Sequence, residues 1–415
     1  GLGVSISVQV MTLPVMLWFF YEVPVWGFLL NLVVVPLMSI LLVCLILCGI
    51  GGLFLTQAAW ICAIPANWIF GVYEGLCKIS EAVPFHTFCM GRPTRLFIIV
   101  YHGLLALFLL TQYGGGVLEH GVFIGFRKRK IAVICYITAV LFLLVWQKMP
   151  GDLKVCMLDV GQGDGIYIRT PEQIHILMDG GSSTKRKTGQ YIFENAVKYY
   201  GAAQLDYVFV SHSDIDHYSG IMEILQEKEI PVRHLVLPAI ANPDETYRKL
   251  EQQAEAGGTK IIYMQEGDCI EFGEVAFLCL NPEYMSYEDK NTGSLVFLMS
   301  YRKFDMLFTG DMDEEAEQRL LIKNVLNDTD VEVLKVAHHG SATASSAKFL
   351  SALNPDVSLV SVAENNRYGH PAKEVMERLS HFSGKIYLTK DCGAVTIDTD
   401  GIQYKIETYL GKRQE

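Results

Sequence analysis

The hydrophobic pattern of the chain changes near residue 150. Residues 23–73 contain no Asp, Glu, Lys or Arg. This is room for two membrane spans, because a helix crosses the roughly 30 Å apolar core of a bilayer with about 20 residues. Residues 96–118 and 131–147 are also apolar, and residues 4–21 form either another span or a helix along the interface. We therefore predict a transmembrane domain of four or five helices over residues 1–149.

Charge follows the same division. Residues 1–150 hold eight basic and four acidic residues, so the totals of 34 and 45 leave 26 and 41 in residues 151–415, a balance of −15. Glu22 is the one charged residue among the first 73, and so little polar surface could not cover a soluble fold. A single soluble domain is excluded, and an apolar content of 51% excludes a disordered chain.

The basic cluster at residues 127–130, just ahead of the last predicted span, bears on orientation. Basic loops tend to remain in the cytoplasm, which would place residues 151–415 on the outer side. The number of basic residues does not decide the orientation, because the four in the cluster would face inward and four others would face outward: Lys78, Arg92, Arg95 and Lys148. The chain begins at Gly1 directly in apolar sequence, and we expect it to be the back portion of a longer membrane protein.

From residue 150 onward, short β-rich runs alternate with helical patterns. The predicted strands are 154–158, 165–169, 174–178, 207–210, 234–237, 275–280, 295–301, 306–308 and 331–336. The predicted helices are 192–200, 222–228, 246–257, 314–325 and 372–379. This alternation predicts a layered α/β domain over residues 150–415, long enough for one sizeable core.

A loop rich in metal ligands follows the predicted strand 207–210. Four side chains that can bind a metal occur within six positions: His212, Asp214, Asp216 and His217. A loop of this kind can hold two cations a few ångströms apart. Its alternative is a chance cluster of surface residues.

Polar residues follow three other predicted strands in the same way. Asp179 follows strand 174–178, Asp311 follows strand 306–308, and the pair His338 and His339 follows strand 331–336. Because α/β sites form where strand ends meet at one edge of a sheet, we expect these side chains to converge.

These residues resemble the metallo-β-lactamase fold, whose core motif is His-x-His-x-Asp-His. More narrowly, residues 158–164, 179–181, 334–341 and 366–371 are similar to ComEC-type competence DNA-uptake channels, and the multi-span block is similar to their competence domain. The resemblance implies a multi-span α-helical membrane domain, residues 1–149, followed by a metallo-β-lactamase-like αββα sandwich, residues 150–415.

The resemblance also implies a function. The chain would belong to a channel that passes single-stranded DNA inward across the bacterial inner membrane, with its metal-binding domain on the outer face. That domain would act as a metal-dependent phosphodiesterase, a nuclease that degrades the strand left behind. The implied partners are DNA, the membrane, a competence DNA receptor and a cytoplasmic DNA motor, since the chain carries no nucleotide-binding loop of its own. The oligomeric state stays open.

The family pattern implies a role for each site residue. One metal would take His212 and Asp214, and the other Asp216, His217 and either His338 or His339, with Asp311 as the bridge. Asp179 would hold a ligand histidine in the right tautomer. The catalytic candidates are Asp216, Asp159 and His370, the last as proton donor to the leaving oxygen. Candidates for second-layer or substrate contacts are Gln162, Asp164 and Asn291, of which Gln162 and Asp164 share a Gly-rich loop with Asp159.

One departure from the family pattern bears on the metal. The fold usually supplies another ligand histidine ahead of the bridging aspartate, but no His occurs between His234 and His338, and Asn291 stands in that stretch. Because Asp214 also replaces a histidine, the first site is rich in oxygen, which favours Mn²⁺ over Zn²⁺. We expect two divalent ions, with manganese preferred.

Two other functions remain open. The acidic balance of the second part lacks the basic footprint of a nucleic-acid binder. One alternative is a membrane-tethered phosphodiesterase that acts on an envelope substrate, since one metal loop serves many esters. The other is a translocation protein whose metallo-β-lactamase-like domain is inert, which the missing histidine favours.

Overall fold

The computed structural model describes residues 2–54, 56–83, 86–113, 122–147, 151–326 and 329–411. It divides into one unit of Gly1–Met149 with Lys198–Gly201, and a second of Pro150–Val197 with Ala202–Glu415. Lys148, the predicted boundary at residues 149–150 and the end of the predicted span at residues 114–118 lie outside the described residues.

Apolar helices make up most of the first unit. They are α1 (Leu2–Phe20), α2 (Gly27–Phe54), α3 (Thr56–Ala82), α4 (Arg95–Tyr113) and α5 (Val122–Gln147), with a short antiparallel strand pair, β1 (Glu22–Pro24) and β2 (Thr87–Cys89). Helices α1 and α2 are long and apolar enough to cross a membrane, whereas the apolar stretches of α4 and α5 are shorter. The basic cluster at residues 127–130 falls inside α5 rather than ahead of it.

The surface of α2 suits a lipid environment. Val35, Leu42, Leu53 and Phe54 are each more than half exposed. In water a continuous apolar surface of this kind is a binding or aggregation surface, whereas in lipid a helix satisfies its own backbone and exposes apolar side chains at no cost. The apolar surface therefore agrees with the predicted membrane domain.

The second unit is built on two β-sheets. Its strands are β3 (Leu153–Met157), β4 (Gly165–Arg169), β5 (His175–Gly180), β6 (Leu205–Phe209), β7 (Val232–Pro238), β8 (Lys260–Met264), β9 (Cys269–Phe272), β10 (Val275–Asn281), β11 (Val296–Tyr301), β12 (Phe304–Phe308), β13 (Val333–Lys335), β14 (Val357–Val360), β15 (Lys385–Leu388), β16 (Val395–Thr399) and β17 (Tyr404–Thr408). One sheet has the order β17-β16-β3-β4-β5-β6-β7-β8 and the other β15-β14-β13-β12-β11-β10-β9.

Helices complete the layers. They are α6 (Glu194–Tyr199), α7 (Ile215–Glu227), α8 (Glu245–Ala256), α9 (Glu314–Ile322), α10 (Ala347–Leu353), α11 (Lys373–Phe382) and the short α12 (Thr389–Cys392). A core between the sheets contains Met178, Phe209, Phe297 and Phe308. A separate apolar cluster joins the second sheet to α9, α10 and α11. The layers are those of the predicted αββα sandwich.

The topology explains why the site forms where it does. Strands β5 and β6 are parallel neighbours in one sheet, and β12 and β13 are parallel neighbours in the other. Their carboxyl ends lead into Asp179, His212, Asp311 and His338 respectively. Polar residues from four distant stretches of the chain are thereby brought to one edge of the sandwich.

Candidate metal centre

Main-chain hydrogen bonds build the floor of the site. Asp164 N–H donates to Asp216 O at 3.0 Å, and Gly181 N–H donates to Asp164 O at 3.0 Å. These contacts need glycine: a Cβ at Gly181 would lie 2.5 Å from the carbonyl carbon of Asp216, and Gly163, at φ +147°, would meet Gly181 O at 2.5 Å. The Gly-rich loop, the end of β5 and the start of α7 are therefore held backbone to backbone.

One oxygen of Asp311 lies at the centre of the cluster. Its Oδ2 is 3.2 Å from His217 Nε2, 3.5 Å from His339 Nε2, 3.8 Å from His338 Nε2 and 3.9 Å from His212 Nε2. Asp311 is 2% exposed, so these contacts are shielded from water. The structure thus brings the predicted bridging carboxylate together with all four predicted ligand histidines.

The two remaining predicted ligands flank this centre. Asp214 Oδ2 is 3.5 Å from His212 Nε2, and Asp216 Oδ2 is 3.5 Å from His339 Nε2. Asp214 directly precedes α7 and is about one third exposed, and its other oxygen pairs with the ammonium of Lys290. The seven predicted ligands therefore form one group.

Buried imidazole nitrogens without partners show that the group fits a metal. His212 Nε2, His217 Nε2 and His339 Nε2 are each buried and accept or donate no hydrogen bond among the described residues. An unpaired polar atom in a protein interior is costly. Asp164, His217, Asp311 and His339 each offer a ligand atom, and these atoms lie within 4.8 Å of one another. A divalent cation would satisfy these nitrogens and carboxylates together.

The backbone at the histidine pair is in an unusual conformation. His338 and His339 have φ values of +49° and +53°, in the left-handed region that non-glycine residues seldom adopt. Nδ1–H of His339 donates to Ser361 O at 3.1 Å, which leaves Nε2 facing Asp216 and Asp311. His339 is 1% exposed, whereas His338 is partly exposed and its ring lies 5.7 Å from the ring of His370. Strain of this kind is typical of functional sites.

Asp179 orients the central histidine. Its Oδ2 accepts from His217 Nδ1 at 2.9 Å and from Ser211 Oγ at 2.7 Å, while Oδ1 accepts from Ser211 N at 2.7 Å. A proton fixed on Nδ1 leaves Nε2 as the free ligand atom. These contacts suit the tautomer-holding role expected of Asp179.

The Asp179→Asn substitution is therefore expected to weaken Mn²⁺ binding about 10- to 100-fold, because an amide no longer holds the Nδ1 proton. Mn²⁺ titration of the full chain in detergent measures this. The matched control is Asp206→Asn. Asp206 is a buried carboxylate near the start of β6, away from the strand end that leads to the site, and it accepts from His175 N at 3.0 Å. An equal loss in both variants would mean that Asp179 acts only through stability.

A buried lysine in the site was not expected from the sequence. The ammonium of Lys335 contacts Asp164 Oδ2, lies 3.6 Å from Asp311 Oδ1 and donates to Gly310 O at 2.6 Å. Lys335 is 2% exposed and Asp164 1%. In the sequence Lys335 looks like an ordinary residue of a predicted strand. The one sign of a special role was its charge within an apolar strand. Asp164, expected only as a second-layer or substrate contact, lies within the ligand group itself.

Opposite charges shift the pKa values of the group. Burial alone would raise the pKa of Asp311, but His217 and His339 hold it well below its usual range. Burial alone would lower the pKa of His217, but Asp311 and Asp179 raise it well above its usual range. Burial likewise opposes the charge on Lys335, whose pKa is nevertheless raised by Asp164 and Asp311. A cation that binds here would displace protons from the imidazoles.

The other predicted site residues occupy different positions. Asp159 lies on the loop above the floor, and its Oδ1 accepts from Gly161 N and pairs with Lys185 Nζ, each at 3.1 Å. Neither contact joins it to the ligand group, and its catalytic role stays a prediction. Gln162 is buried, with Oε1 accepting from Ala363 N at 3.4 Å.

Asn291 is the chain neighbour of a residue that contacts the ligand group, and His370 contacts one of its histidines. Asn291 follows Lys290, the partner of Asp214, and its Oδ1 is buried without a hydrogen-bond partner among the described residues. His370 contacts His338 edge to face, and burial followed by the charges of His338 and His339 lowers the pKa of His370. A neutral His370 could still donate a hydrogen bond to a leaving oxygen. Both roles stay predictions.

Two family profiles match the chain. The metallo-beta-lactamase superfamily matches residues 158–364, and the competence protein family matches residues 1–113. ComE operon protein 3 of Bacillus subtilis is 27% identical over 98% of this chain and 52% of its own length. Recombination protein 2 of Haemophilus influenzae is 27% identical over 93% and 48%, and Competence protein ComA of Neisseria gonorrhoeae is 30% identical over 59% and 32%. The chain spans about half or less of the length of these curated relatives.

The two matches follow one another in the predicted order. A competence region precedes a metallo-beta-lactamase superfamily region whose strands and helices form the sandwich described above. The predicted fold class is confirmed, and the buried His and Asp group marks a site for divalent metal. The chain belongs to the ComEC-type competence proteins, which join these two domains.

Proposed function

We propose that this chain is part of a DNA-uptake channel and that its second unit hydrolyses phosphodiester bonds in the DNA strand that is not transported. The observation that carries the proposal is the convergence of four imidazoles on Asp311 Oδ2. The names of its relatives, two of them competence proteins by name or operon, support the link to DNA uptake.

We further propose where the two parts of the chain lie relative to the membrane. Residues 1–149 would form a multi-pass domain in the inner membrane and contribute to the path of single-stranded DNA. Residues 150–415 would form the metal-dependent domain on the outer face. A competence DNA receptor would deliver DNA, and a cytoplasmic motor would pull it.

The chain's own residues would divide the chemical work. His212 and Asp214 would hold one metal, and Asp216, His217 and His339 the other, with Asp311 shared between them. We assign His339 rather than His338 to the second metal because its Nε2 faces both Asp216 and Asp311 from inside the fold. Two divalent cations would polarise the phosphodiester, lower the pKa of a water and stabilise negative charge on the phosphate. His370, next to the exposed side of His338, would assist the leaving oxygen.

Manganese is the proposed ion. His212 is the one imidazole assigned to the first position, where Asp214 and Asp311 supply oxygen. Hard oxygen donors favour Mn²⁺ over Zn²⁺. Metal analysis of the full chain that finds two tightly held zinc ions would contradict this choice.

The proposed function is tested by digestion of a labelled single-stranded oligonucleotide with the full chain in detergent and Mn²⁺. We expect digestion that Asp216→Ala reduces at least about 100-fold, because removing a ligand exceeds the 10- to 100-fold cost of disturbing an outer partner. The control is Glu227→Ala, at the exposed end of the same helix.

A panel of substrates separates the alternatives. Hydrolysis of a teichoic-type or phosphocholine ester in preference to DNA would replace the proposal with an envelope phosphodiesterase. If no ester is hydrolysed with Mn²⁺, Mg²⁺ or Zn²⁺, the domain is inert and only the translocation role remains.

A further inference from the structure

Three rings in contact, Tyr368, His370 and His338, lead from solvent to the metal centre. Tyr368, 46% exposed, stacks on His370 with ring centroids 5.8 Å apart and an angle of 11° between the planes. His370 contacts His338 at a centroid distance of 5.7 Å, and His338 Nε2 is 3.8 Å from Asp311 Oδ2. A partly exposed aromatic ring therefore lies two rings away from Asp311.

Arg367 places a cation beside the Tyr368 ring. Its guanidinium lies 5.0 Å from the centroid of the Tyr368 ring, and Nη2–H donates to Tyr368 Oη at 2.9 Å. The side chain is exposed and makes no ion pair among the described residues of the chain.

Asn366 fixes the loop that presents both side chains. Its Oδ1 accepts from Tyr368 N at 3.2 Å and His370 N at 3.0 Å. Its Nδ2 donates to Ala363 O at 3.2 Å and His370 O at 2.7 Å. Because four hydrogen bonds tie the loop to itself, the main chain that carries Arg367 and Tyr368 is fixed before any ligand binds.

An aromatic face beside an unpaired arginine matches the chemistry of single-stranded nucleic acid. Bases of a single strand stack on aromatic side chains, whereas bases of a duplex are stacked on one another and not available. Arginine binds phosphate with its planar group of donors. The overall charge of the chain is −11, so a local cation near the centre matters more than it would in a basic protein.

We propose that Tyr368 stacks one base of a single DNA strand while Arg367 binds a neighbouring phosphate, so that these two residues, the Arg367–Tyr368 platform, select single-stranded over duplex DNA at the metal centre. The inference rests on the proposed function, because it assumes that a phosphodiester of the same strand lies at the metal ligands.

Photocrosslinking tests the contact directly. An oligonucleotide carrying 5-iodouracil is irradiated with the full chain in detergent and EDTA, and crosslinked peptides are identified by mass spectrometry. We expect a crosslink in the peptide that contains Tyr368. The Tyr368→Ala chain should lose it, while Tyr368→Trp should keep it. A crosslink pattern that lacks this peptide would overturn the platform.

Steady-state kinetics with Mn²⁺ give a second measure. Tyr368→Ala should raise KM for a single-stranded oligonucleotide about tenfold, the effect of losing one stacked base, with kcat changed far less. Tyr368→Phe should restore KM. Arg367→Ala should raise KM too and lower the salt dependence of binding by about one phosphate contact.

The matched control for arginine is Arg302→Ala. Arg302 lies 5.1 Å from the ring of Tyr301, in the turn between β11 and β12 at the opposite end of these strands from Asp311. If Arg302→Ala has the same effect as Arg367→Ala, charge in general and not the platform determines binding.

The two proposals fail differently. Digestion that needs Asp216 but gives no Tyr368 crosslink and an unchanged KM leaves the nuclease intact and removes the platform. A Tyr368 crosslink without any digestion keeps the platform and removes the nuclease.

Discussion

Replacing Asp311 by alanine should remove metal binding at both positions of the centre at once. The reason is that one oxygen, Oδ2, lies within 3.9 Å of Nε2 of His212, His217, His338 and His339. Without it no carboxylate joins the two groups of ligands. We expect affinity for Mn²⁺ to fall more than about 100-fold, beyond the cost of losing an outer partner, and digestion of DNA to fall to background.

Metal content, measured on the full chain after dialysis against Mn²⁺, reports this loss separately from activity. The matched control is Asp313→Ala, two residues away. Asp313 caps α9, where its Oδ1 accepts from Ala316 N at 3.0 Å, and it contacts no ligand histidine among the described residues. Loss of this cap costs about 0.5–2 kcal/mol of stability and should leave metal content unchanged. Retention of one tightly bound metal by Asp311→Ala would show that the two positions do not share this carboxylate.

Replacing Lys335 by methionine should destabilise the second unit by about 3–5 kcal/mol, the usual effect of removing one partner from a buried ion pair. Methionine fills a similar volume but leaves Asp164 and Asp311 without their shared cation. Tryptophan fluorescence cannot report this, because all five tryptophans lie in residues 1–146. Pulse proteolysis of the full chain in urea, read on fragments of residues 151–415, gives the midpoint of unfolding.

Two variants make the Lys335 prediction specific. Lys335→Met combined with Asp164→Asn should recover part of the loss, because both charges of the pair are then gone. Lys154→Met, which removes a partly exposed partner of Asp398, should cost at most about 1 kcal/mol. An unchanged midpoint in Lys335→Met would mean that the carboxylates of Asp164 and Asp311 are neutral without it.

The strands of the second unit were largely predictable from apolar runs. All nine predicted strands form, because each is buried and ends in a turn or polar cluster. Six others were missed: β8, β9, β14, β15, β16 and β17. Several of these, such as β9 and β17, alternate exposed with half-buried residues at or near a sheet edge, so their hydrophobic signal is weak. Their strand conformation is set by pairing with a neighbour rather than by their own sequence.

The convergence of the candidate residues was predictable by residue type and by place after strands, while their roles as ligands stay predictions. His212 and Asp311 could be named because an imidazole or carboxylate at a strand end has few structural reasons to be there, and Asp216 because it follows His212 in the same loop-to-helix segment. The burial of Asp164 and Lys335 could not be predicted from their places in the sequence, because it depends on how the two sheets pack together. The same holds for His339, which differs from His338 in its burial and in the hydrogen bond from its Nδ1 to Ser361 O, while both residues have positive φ.

The floor of the centre is made of main chain, and this has an evolutionary consequence. Asp164 N–H to Asp216 O and Gly181 N–H to Asp164 O need glycines and peptide groups but no particular ligand side chain. A descendant could therefore exchange its imidazoles while the main-chain frame persists, whereas Asp164 and Asp311 are tied to the buried charge of Lys335. We therefore expect homologous domains that keep this fold after they have lost metal ligands.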